Sequence, residues 1–299
     1  MKILIIGSKG FIGSHCLTYF GNNNQYDVWG ADVVTDYTST NYFLIDPSTN
    51  DFNKIFSKEA FDICINCSGA ASVPDSLNNP KRDFYLNTLN VFNLLDAIKE
   101  HSPECRFINL SSAAVYGSPE ALPIKENQII NPISPYGFHK KLAEDICHEY
   151  YRFFNINCCS LRVFSAYGPG LKKQLFWDIF QKSKQSNTIT LFGTGKESRD
   201  FIFINDIVHA IEILVHNTDC FKGTNINLAS GKEFTIKEVV QILLHKINWK
   251  GELKFSGQIR KGDPLNWRAD ISILENLGFQ SKFDIEDGLS EYAKWLISL

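Results

Sequence analysis

The chain has 299 residues, of which 44% are hydrophobic, and a formal net charge of −3. This length accommodates one large α/β domain, or one such domain with a smaller one. The small negative charge argues against nucleic acid and membrane surfaces as partners, and no apolar run approaches the roughly 20 residues that span a bilayer. The N-terminal run is typical of a buried strand rather than a signal peptide, so we expect a cytoplasmic protein.

The first predicted strand, residues 2–6, runs directly into a glycine turn, GSKGFIG, at residues 7–13. A strand, a glycine turn and a helix in this order offer backbone N–H groups and a helix N-terminus to a phosphate. Gly7 permits the turn, Gly10 the approach of a pyrophosphate, and Gly13 close packing of helix on strand. The G-x-x-G-x-x-G spacing is shifted from the more common G-x-G-x-x-G. It predicts dinucleotide binding, with a plain strand–helix turn as the alternative.

The second predicted strand, residues 26–34, contains Asp32, about 20 residues after the glycine turn. An acid at this position accepts hydrogen bonds from ribose hydroxyls and repels a 2′-phosphate. The cofactor is therefore predicted to be NAD, with NADP less favoured. Lys9, inside the turn, either faces a 2′-phosphate or is a solvated lysine.

Eight cysteines are scattered along the chain, and Cys64 and Cys67 form a C-x-x-C. Both lie in an apolar, strand-like run, and there is no second pair at metal-binding spacing. We therefore expect free, mostly buried thiols and no metal site or disulfide.

Two more strands and a helix follow before the middle of the chain. The third predicted strand ends at Asp46, a candidate partner for an adenine amine. The fourth, within residues 61–72, runs into small residues that let a cofactor lie close to the chain. A helix is predicted over residues 80–100 because apolar residues recur near helical spacing. Asn87 in this helix either reaches the cofactor or is a solvated helix position.

A serine, a tyrosine and a lysine follow the fifth predicted strand: Ser112 in SSAAVYG, then Tyr136 and Lys140 in SPYGFHK. Residues at i and i+4 share one helical face. A phenol has a pKa of about 10, and a fixed cation one turn away favours the phenolate. A serine hydroxyl at a strand end can hold the substrate oxygen. This set suits proton transfer at an alcohol while a hydride leaves the same carbon; the alternative is a chance spacing on a helix.

Strands and helices alternate up to a sixth strand and a Gly/Pro turn that ends at Gly170, which predicts an α/β fold with a Rossmann-type doubly wound parallel sheet. After Gly170 the pattern changes to an amphipathic helix, short strands and two late helices near 235–247 and 287–299. We expect a dinucleotide-binding domain over 1–165, with 201–218 returning to it. Residues 166–200 and 219–299 are expected to form a smaller C-terminal substrate-binding lobe.

The chain resembles the extended short-chain dehydrogenase/reductases, specifically the NAD-dependent nucleotide-sugar epimerase/dehydratase group. The resemblance covers nearly the whole chain and rests on GSKGFIG, Asp32, GAAS, SSAAVYG, YGFHK, LRVFSAYGPG, LFGTGKESRDFIF and RKGDP. It implies that Ser112, Tyr136 and Lys140 are catalytic. The cofactor contacts it implies are Gly7, Lys9, Gly10, Phe11, Ile12, Gly13, Asp32, Asp46, Ala70, Asn87, Ser111, Tyr136, Lys140 and Phe164.

The resemblance also implies a nucleotide-diphosphate sugar as substrate. Arg199 and Arg260 would grip the diphosphate, because guanidinium forks match phosphate oxygens. Asp263 would meet a ribose or order its loop. Without the resemblance, Arg199 would be expected to pair with Asp200 or Asp206 on a surface. The expected substrate contacts are Ser72, Ser112, Tyr136, Ser165, Arg199, Arg260 and Asp263.

Two departures from the family pattern bear on the reaction. Ala113 and Ala114 stand where sugar 4,6-dehydratases carry an Asp-Glu pair, so dehydration is disfavoured. Ser165 stands where many epimerases carry asparagine, and its shorter side chain leaves the sugar open.

The resulting hypothesis is an NAD-dependent nucleotide-sugar 4-epimerase that works through a 4-keto intermediate. A 4-reductase of nucleotide 4-keto-6-deoxysugars, using NAD(P)H, has the same triad and is the first alternative. A non-catalytic dinucleotide-sensing or partner-binding protein on the same fold is the second. Members of the family often pair the helices that match 80–100 and 136–154, so a homodimer is expected.

Overall fold

The computed structural model describes residues 1–258 and 265–299. Its central sheet contains seven strands in the order β11-β6-β5-β4-β1-β2-β3, and every neighbouring pair is parallel. These strands are β1 (Lys2–Ile6), β2 (Asp27–Asp32), β3 (Tyr42–Leu44), β4 (Ile63–Asn66), β5 (Arg106–Ser112), β6 (Cys158–Val163) and β11 (Thr224–Leu228).

Helices cover both faces of this sheet, which confirms the doubly wound α/β fold. They are α1 (Phe11–Gly21), α2 (Asn53–Phe56), α3 (Val73–Asn78), α4 (Pro80–Phe84), α5 (Asn90–His101), α6 (Pro135–Phe154), α7 (Gln174–Gln185), α8 (Ile204–Val215), α9 (Ile236–Lys246), α10 (Ser272–Asn276) and α11 (Ile285–Ile297). Short 3₁₀ turns occur at Ala113–Tyr116 and Thr218–Cys220.

The predicted helix over residues 80–100 is present in extent but is not regular. A π-helical turn, Tyr85–Leu89, separates α4 from α5. Such wide turns inside α-helices occur frequently at functional sites. Asn87 lies in the middle of this turn.

The strand order reverses between β1 and β4, which are neighbours in the sheet but are separated in the chain by β2 and β3. In open parallel sheets, ligands bind at such a switch point, beyond the carboxyl ends of the strands. The strands there are fully buried, as a sheet covered on both faces requires: Ile3 to Ile6 have no solvent exposure.

Three small two-stranded sheets form around the C-terminal half. They pair β7 (Ser165–Tyr167) with β10 (Phe201–Phe203), β8 (Thr188–Leu191) with β13 (Glu252–Phe255), and β9 (Ser198–Arg199) with β12 (Phe234–Thr235). Two isolated bridges, Ile124 to Ala269 and Ser198 to Asn266, tie the segment after the gap to these elements.

The boundary expected at residue 219 differs from the observed pairing. Thr224–Leu228 was assigned to the lobe, but it pairs with β6 and forms one edge of the central sheet. One apolar core cluster also runs from β1 and α8 to α9 and α11. The lobe therefore shares its core with the sheet, because α10 packs on β11, α11 on β10 and α9 on β12, and α9 and α11 also pack on each other.

Across the described ranges, no helix is both long and apolar enough to cross a bilayer. All eight cysteines are free thiols, and Cys67 is the least buried of them. In the same ranges no group of His, Cys, Asp and Glu side chains has the arrangement of a metal site.

Candidate active site

The structure brings Ser112, Tyr136 and Lys140 together where β5 ends and α6 begins. Helix α6 starts at Pro135, and the Ser134 hydroxyl caps it by accepting from the Gly137 N–H at 3.1 Å. Tyr136 is thereby fixed in the first turn. Ser112 ends β5 and caps the 3₁₀ turn, accepting from the Ala114 N–H at 3.2 Å.

Lys140 is anchored on the strand that carries Ser112. Its Nζ donates to the Leu110 carbonyl at 2.8 Å, and only 5% of the residue is exposed. Burial lowers the pKa of Lys140 to about 8, against the opposing effect of the Asp83 and Glu144 carboxylates. The ammonium group thus keeps a direct link between α6 and β5.

The pKa of Tyr136 moves opposite to the expectation that Lys140 would lower it. Burial, opposed by the hydrogen bond with the Ser112 hydroxyl and assisted by the Asp83 carboxylate, raises this pKa to about 12. Desolvation disfavours the phenolate more strongly than its neighbours favour it. The expectation from the i, i+4 spacing omitted this burial cost.

The glycine turn packs tightly between β1, α1 and β4. Gly7 has a φ of +75°, and a Cβ on Gly13 would lie 2.1 Å from the Gly7 carbonyl oxygen. Gly10 is the N-cap residue of α1 and brings no side-chain cap. The first N–H groups of α1, at Phe11 and Ile12, therefore begin a helix without a capping side chain, as a phosphate site requires.

Asp32 lies at the end of β2 and braces this turn. Its carboxylate accepts from the Lys9 N–H at 2.8 Å and from the Val34 N–H at 3.3 Å. The carboxylate is thus placed beside the glycine turn, where the sequence predicted a ribose partner.

The Lys9 side chain forms an ion pair with Asp36, a residue that the sequence reasoning missed. The Lys9 ammonium, together with Thr38, holds the pKa of the Asp36 carboxyl well below its usual range. The sequence feature that could have indicated this ion pair is an acid, Asp36, four residues after Asp32. Lys9 is neither simply solvated nor open to a 2′-phosphate, which strengthens the preference for NAD.

Asn87 is almost fully buried, so its interpretation as a solvated helix position is wrong. Within the described ranges, neither the oxygen nor the nitrogen of its amide has a hydrogen-bond partner. A Cβ on Gly69 would lie 2.5 Å from the Asn87 Oδ1 and 3.4 Å from the Lys140 Nζ. An amide that both donates and accepts, beside a glycine that leaves room, fits a polar cofactor group.

The backbone around Gly69 also connects the Asn87 amide to the glycine turn. A Cβ on Gly7 would lie 2.7 Å from the Ser68 nitrogen. Residues 68–69 therefore link the turn at the end of β1 to Asn87 and Lys140. The half-buried Ala70 follows directly, so the small side chains noted in the sequence line the path between them.

Ser111, a predicted cofactor contact, has its side chain in a buried hydrogen-bond network. Its hydroxyl is buried and donates to the Glu144 Oε1 at 2.6 Å. Arg162 binds the same carboxylate through two bonds, Nε to Oε1 at 3.0 Å and Nη2 to Oε2 at 2.8 Å. Glu144 is one helical turn beyond Lys140, so this bidentate pair ties α6 to β5 and β6.

The network continues from Arg162 into the C-terminal part. Its Nη1 donates to the Tyr116 hydroxyl and to the Glu126 carbonyl, both at 2.8 Å. Tyr116 donates to the Asn227 Oδ1 at 2.7 Å, and the Asn227 amide reaches the carbonyls of Ile124 and Asp270. The sequence feature that could have indicated this network is a charged residue, Arg162, within the apolar run LRVF.

Other predicted contacts are placed around this centre. The Ser72 hydroxyl caps α3, accepting from the Asp75 N–H at 3.2 Å. Ser165 is half-buried and donates its N–H to the Asp200 carbonyl at 3.0 Å. Phe164 packs between the rings of Tyr116 and Trp267. The exposed Asp46 follows β3, and its Oδ1 accepts from the N–H and the hydroxyl of Ser48.

The Arg199 guanidinium lies against the segment that follows the gap. It donates to the carbonyls of Ser198 and Leu265 at 2.7 and 3.1 Å and lies 5.6 Å from the ring centre of Trp267. Asp200 is fully buried and accepts from Ser230, Gly231 and Ala269, and burial raises its pKa to about 6. Arg260 and Asp263 lie outside the described residues.

Comparison with known proteins agrees with this geometry. A putative UDP-glucose 4-epimerase of Methanocaldococcus jannaschii is 29% identical, over 98% of this chain and 98% of its own length. A UDP-glucuronate 4-epimerase of Arabidopsis thaliana is 25% identical, over 100% of this chain and 76% of its length.

Two solved structures share the fold over nearly their whole length. The UDP-glucuronic acid 4-epimerase of Bacillus cereus, in complex with UDP-glucuronic acid and NAD, is 25% identical with a TM-score of 0.90 and covers 100% of this chain and 99% of that one. The UDP-N-acetylglucosamine 4-epimerase of Methanobrevibacter ruminantium is 26% identical with a TM-score of 0.89, covering 99% and 98%. The model of the NAD dependent epimerase/dehydratase family matches residues 3–229, most of the chain, and the chain belongs to that family.

Proposed function

We propose that this chain is an NAD-dependent 4-epimerase of a nucleotide-diphosphate sugar that works through a 4-keto intermediate. The observation that carries the proposal is the convergence of Ser112, Tyr136 and Lys140 beside a glycine turn at the switch point of the sheet. The relatives and solved neighbours named above, which are UDP-sugar 4-epimerases, support the same reaction.

The family is NAD-dependent, and the chain's own residues fit that cofactor. The N-terminus of α1 and the glycine turn would hold the pyrophosphate, and Asp32 would hold the adenosine ribose. The amide of Asn87 and the ammonium of Lys140 would meet the other half of the dinucleotide. When bound, NAD supplies an acceptor for the sugar hydride and then a donor that returns it.

Tyr136 would exchange the proton of the sugar 4-hydroxyl. As phenolate it takes this proton while C4 is oxidised, and it gives the proton back when C4 is reduced on the opposite face. The Ser112 hydroxyl donates a hydrogen bond to the same oxygen. A phenol whose pKa is about 12 rests protonated near neutral pH, and a positive charge bound in the crevice would lower that pKa. Proton transfer is therefore coupled to cofactor binding.

Two observations favour a 4-epimerase over a dehydratase and over an NADPH-dependent reductase. The side chains of Ala113 and Ala114 are buried and have no group that could eliminate water, which argues against a dehydratase. The Lys9–Asp36 ion pair argues against a reductase that takes up NADPH.

The test begins with the dinucleotide that the purified chain releases on unfolding. We expect NAD in near-stoichiometric amount. A panel of UDP-, dTDP-, GDP- and CDP-hexoses, followed by NMR, should then show inversion at C4 without added cofactor. A chain that is empty, prefers NADPH and reduces 4-keto sugars would overturn the epimerase in favour of the 4-reductase.

We propose a homodimer built from α4, the π-helical turn, α5 and α6. These helices present large aromatic side chains that are 38% or more exposed: Phe84, Tyr85, Phe92, Phe138, Phe153 and Phe154. Large exposed aromatic side chains on helices that pack together are typical of a protein interface. Light scattering at micromolar concentration should give twice the chain mass, and a monomeric mass would contradict the proposal.

A further inference from the structure

A buried carboxylate lies behind the catalytic residues, and the reaction above does not use it. Asp83, in α4, is 1% exposed. Its Oδ2 lies 2.6 Å from the His139 Nδ1. Its Oδ1 has no hydrogen-bond partner in the described part of the chain. A buried, half-satisfied carboxylate is costly to keep, so it calls for a functional reason.

The position of this pair ties it to the site. His139 lies in α6 between Tyr136 and Lys140, and its carbonyl accepts from the Thr88 hydroxyl at 2.9 Å. Asp83 precedes Asn87 by four residues on the helix that packs against α6. The Phe84 ring meets the His139 ring edge-on at 5.5 Å, which shields the pair from solvent. Asp83 lies one turn before Asn87, and the Asn87 Oδ1 and the Lys140 Nζ both lie beside Gly69, so the geometry places the pair on the Asn87 side of α6.

We propose that Asp83, held by His139, is a positioning residue whose negative charge favours the protonated forms of both Tyr136 and Lys140 and so sets the pH range over which the two catalytic groups work. This proposal rests on the epimerase function stated above. It assigns a role to two residues outside the Ser-Tyr-Lys set.

The charges around the two groups support this role. The Asp83 carboxylate raises the pKa of Lys140 and of Tyr136. Lys140 is also faced by Glu144, Cys67 and Cys147, and Tyr136 by the Ser112 hydroxyl.

The two carboxylates near Lys140 differ in their partners. Glu144 is neutralised by the bidentate guanidinium of Arg162. The cation next to Asp83 on its own helix, Arg82, pairs with Asp75 at 2.9 Å instead. Among the residues that the structure describes, the Asp83 carboxylate has only the His139 imidazole as a partner, and this ring is charged only when protonated. Its charge is therefore the less compensated of the two.

The test compares pH profiles of kcat/KM for C4 inversion in the wild type, Asp83→Asn and Asp83→Glu. Asp145→Asn, an exposed acid on α6, is the matched control. In Asp83→Asn both the acid and the alkaline limb should move to lower pH by about 0.5 to 1 unit, because both groups lose protons more readily without the negative charge. Asp83→Glu should return both limbs towards the wild type, and Asp145→Asn should leave them in place.

A purely structural role would lower the rate without moving the limbs. Limbs that stay in place in Asp83→Asn, or that move in opposite directions, overturn the proposal. If Asp83→Asn does not fold, His139→Phe gives a second route. It removes the donor, which favours the uncharged carboxyl, and both limbs should move in the same direction but less far; limbs that do not move would again overturn the proposal.

Failure of the proposed function is distinguishable from failure of this inference. Absence of C4 inversion in the wild type overturns the epimerase. The inference is then decided by the pH dependence of the NAD dissociation constant, whose breakpoints report Tyr136 and Lys140 without turnover. Breakpoints that shift to lower pH in Asp83→Asn support it, and unchanged breakpoints contradict it.

Discussion

Two buried polar regions flank helix α6, and they are built in opposite ways. On one side, Glu144 and Arg162 form a bidentate pair that also binds Ser111 and Tyr116, and none of these side chains has an unpartnered buried polar atom in the described ranges. On the other side, Asn87 and Asp83 keep polar atoms that have no partner among the described residues.

The difference separates structural polar groups from functional ones. A fully satisfied buried network rigidifies the elements it joins, and here it fixes α6 against β5 and β6. Buried polar atoms without partners are rare and mark places that another group completes. Asn87 lies beside Gly69 and Lys140, where the dinucleotide is proposed to bind. The first region should therefore respond to mutation mainly through stability, and the second mainly through binding and chemistry.

Mutation of the Glu144–Arg162 network should give the largest effect, a loss of folding free energy. Glu144→Gln leaves the Arg162 guanidinium buried without its countercharge, which costs about 3 to 5 kcal/mol of folding free energy. Urea unfolding measures this loss, with Glu149→Gln on the exposed face of α6 as the control. A loss below about 1 kcal/mol would show that the network is not what holds α6 in place.

Tyr136 lies in the first turn of α6, and loss of its hydroxyl should affect chemistry rather than folding. Tyr136→Phe should lower the rate of C4 inversion by about 10²- to 10³-fold, because the proton acceptor is lost. Bound NAD and the urea midpoint should be unchanged. The exposed Tyr85→Phe serves as the control for turnover. Normal turnover in Tyr136→Phe would contradict the catalytic assignment and favour a non-catalytic dinucleotide-binding protein.

The unsatisfied region should show its role through cofactor affinity. Asn87→Ala removes an amide that has no partner in residues 1–258 and 265–299, so stability should change by less than about 1 kcal/mol. NAD affinity should fall about tenfold, equivalent to about one hydrogen bond. Isothermal titration calorimetry on cofactor-free protein gives the affinity, and Asn93→Ala on α5 is the control. A large loss of stability with unchanged NAD affinity would show that Asn87 is a structural residue and would contradict its proposed role in binding.

The smallest expected effect concerns the choice between NAD and NADP. Asp36→Asn frees the Lys9 ammonium, so the ratio of NADP to NAD affinity should rise by up to about fivefold, the scale of a surface ion pair. The effect should shrink at high salt. Asp219→Asn, a remote surface acid with a side chain that is 89% exposed, is the control. An unchanged ratio would mean that Lys9 does not influence the cofactor.

The sequence predicts the fold and the residues Ser112, Tyr136 and Lys140 that the structure brings together, because their signals are local. The alternation of strands and helices, the glycine turn and the Tyr136–Lys140 spacing are all contained in short segments. The partner of Lys9 was close in the chain but was missed, since an acid in a loop has no periodic signal.

The remaining features depend on contacts between distant residues. Ser111 and Glu144 are 33 positions apart, and Asp83 and His139 are 56 apart, so no local pattern shows that they meet. The direction of the Tyr136 pKa depends on burial, which packing decides. Thr224–Leu228 joins the central sheet for the same reason: a five-residue strand carries no information about which neighbour it will pair with.

The most direct test of the central claim follows the hydrogen at C4. The nucleotide hexose that the panel identifies would be prepared with deuterium at C4 and incubated in ordinary water without added cofactor. Our account predicts that both epimers keep the deuterium at C4, because the same hydride leaves the carbon and returns to it within one bound complex. Loss of the label to solvent, or turnover only with added reduced cofactor, would contradict an epimerase that recycles its NAD.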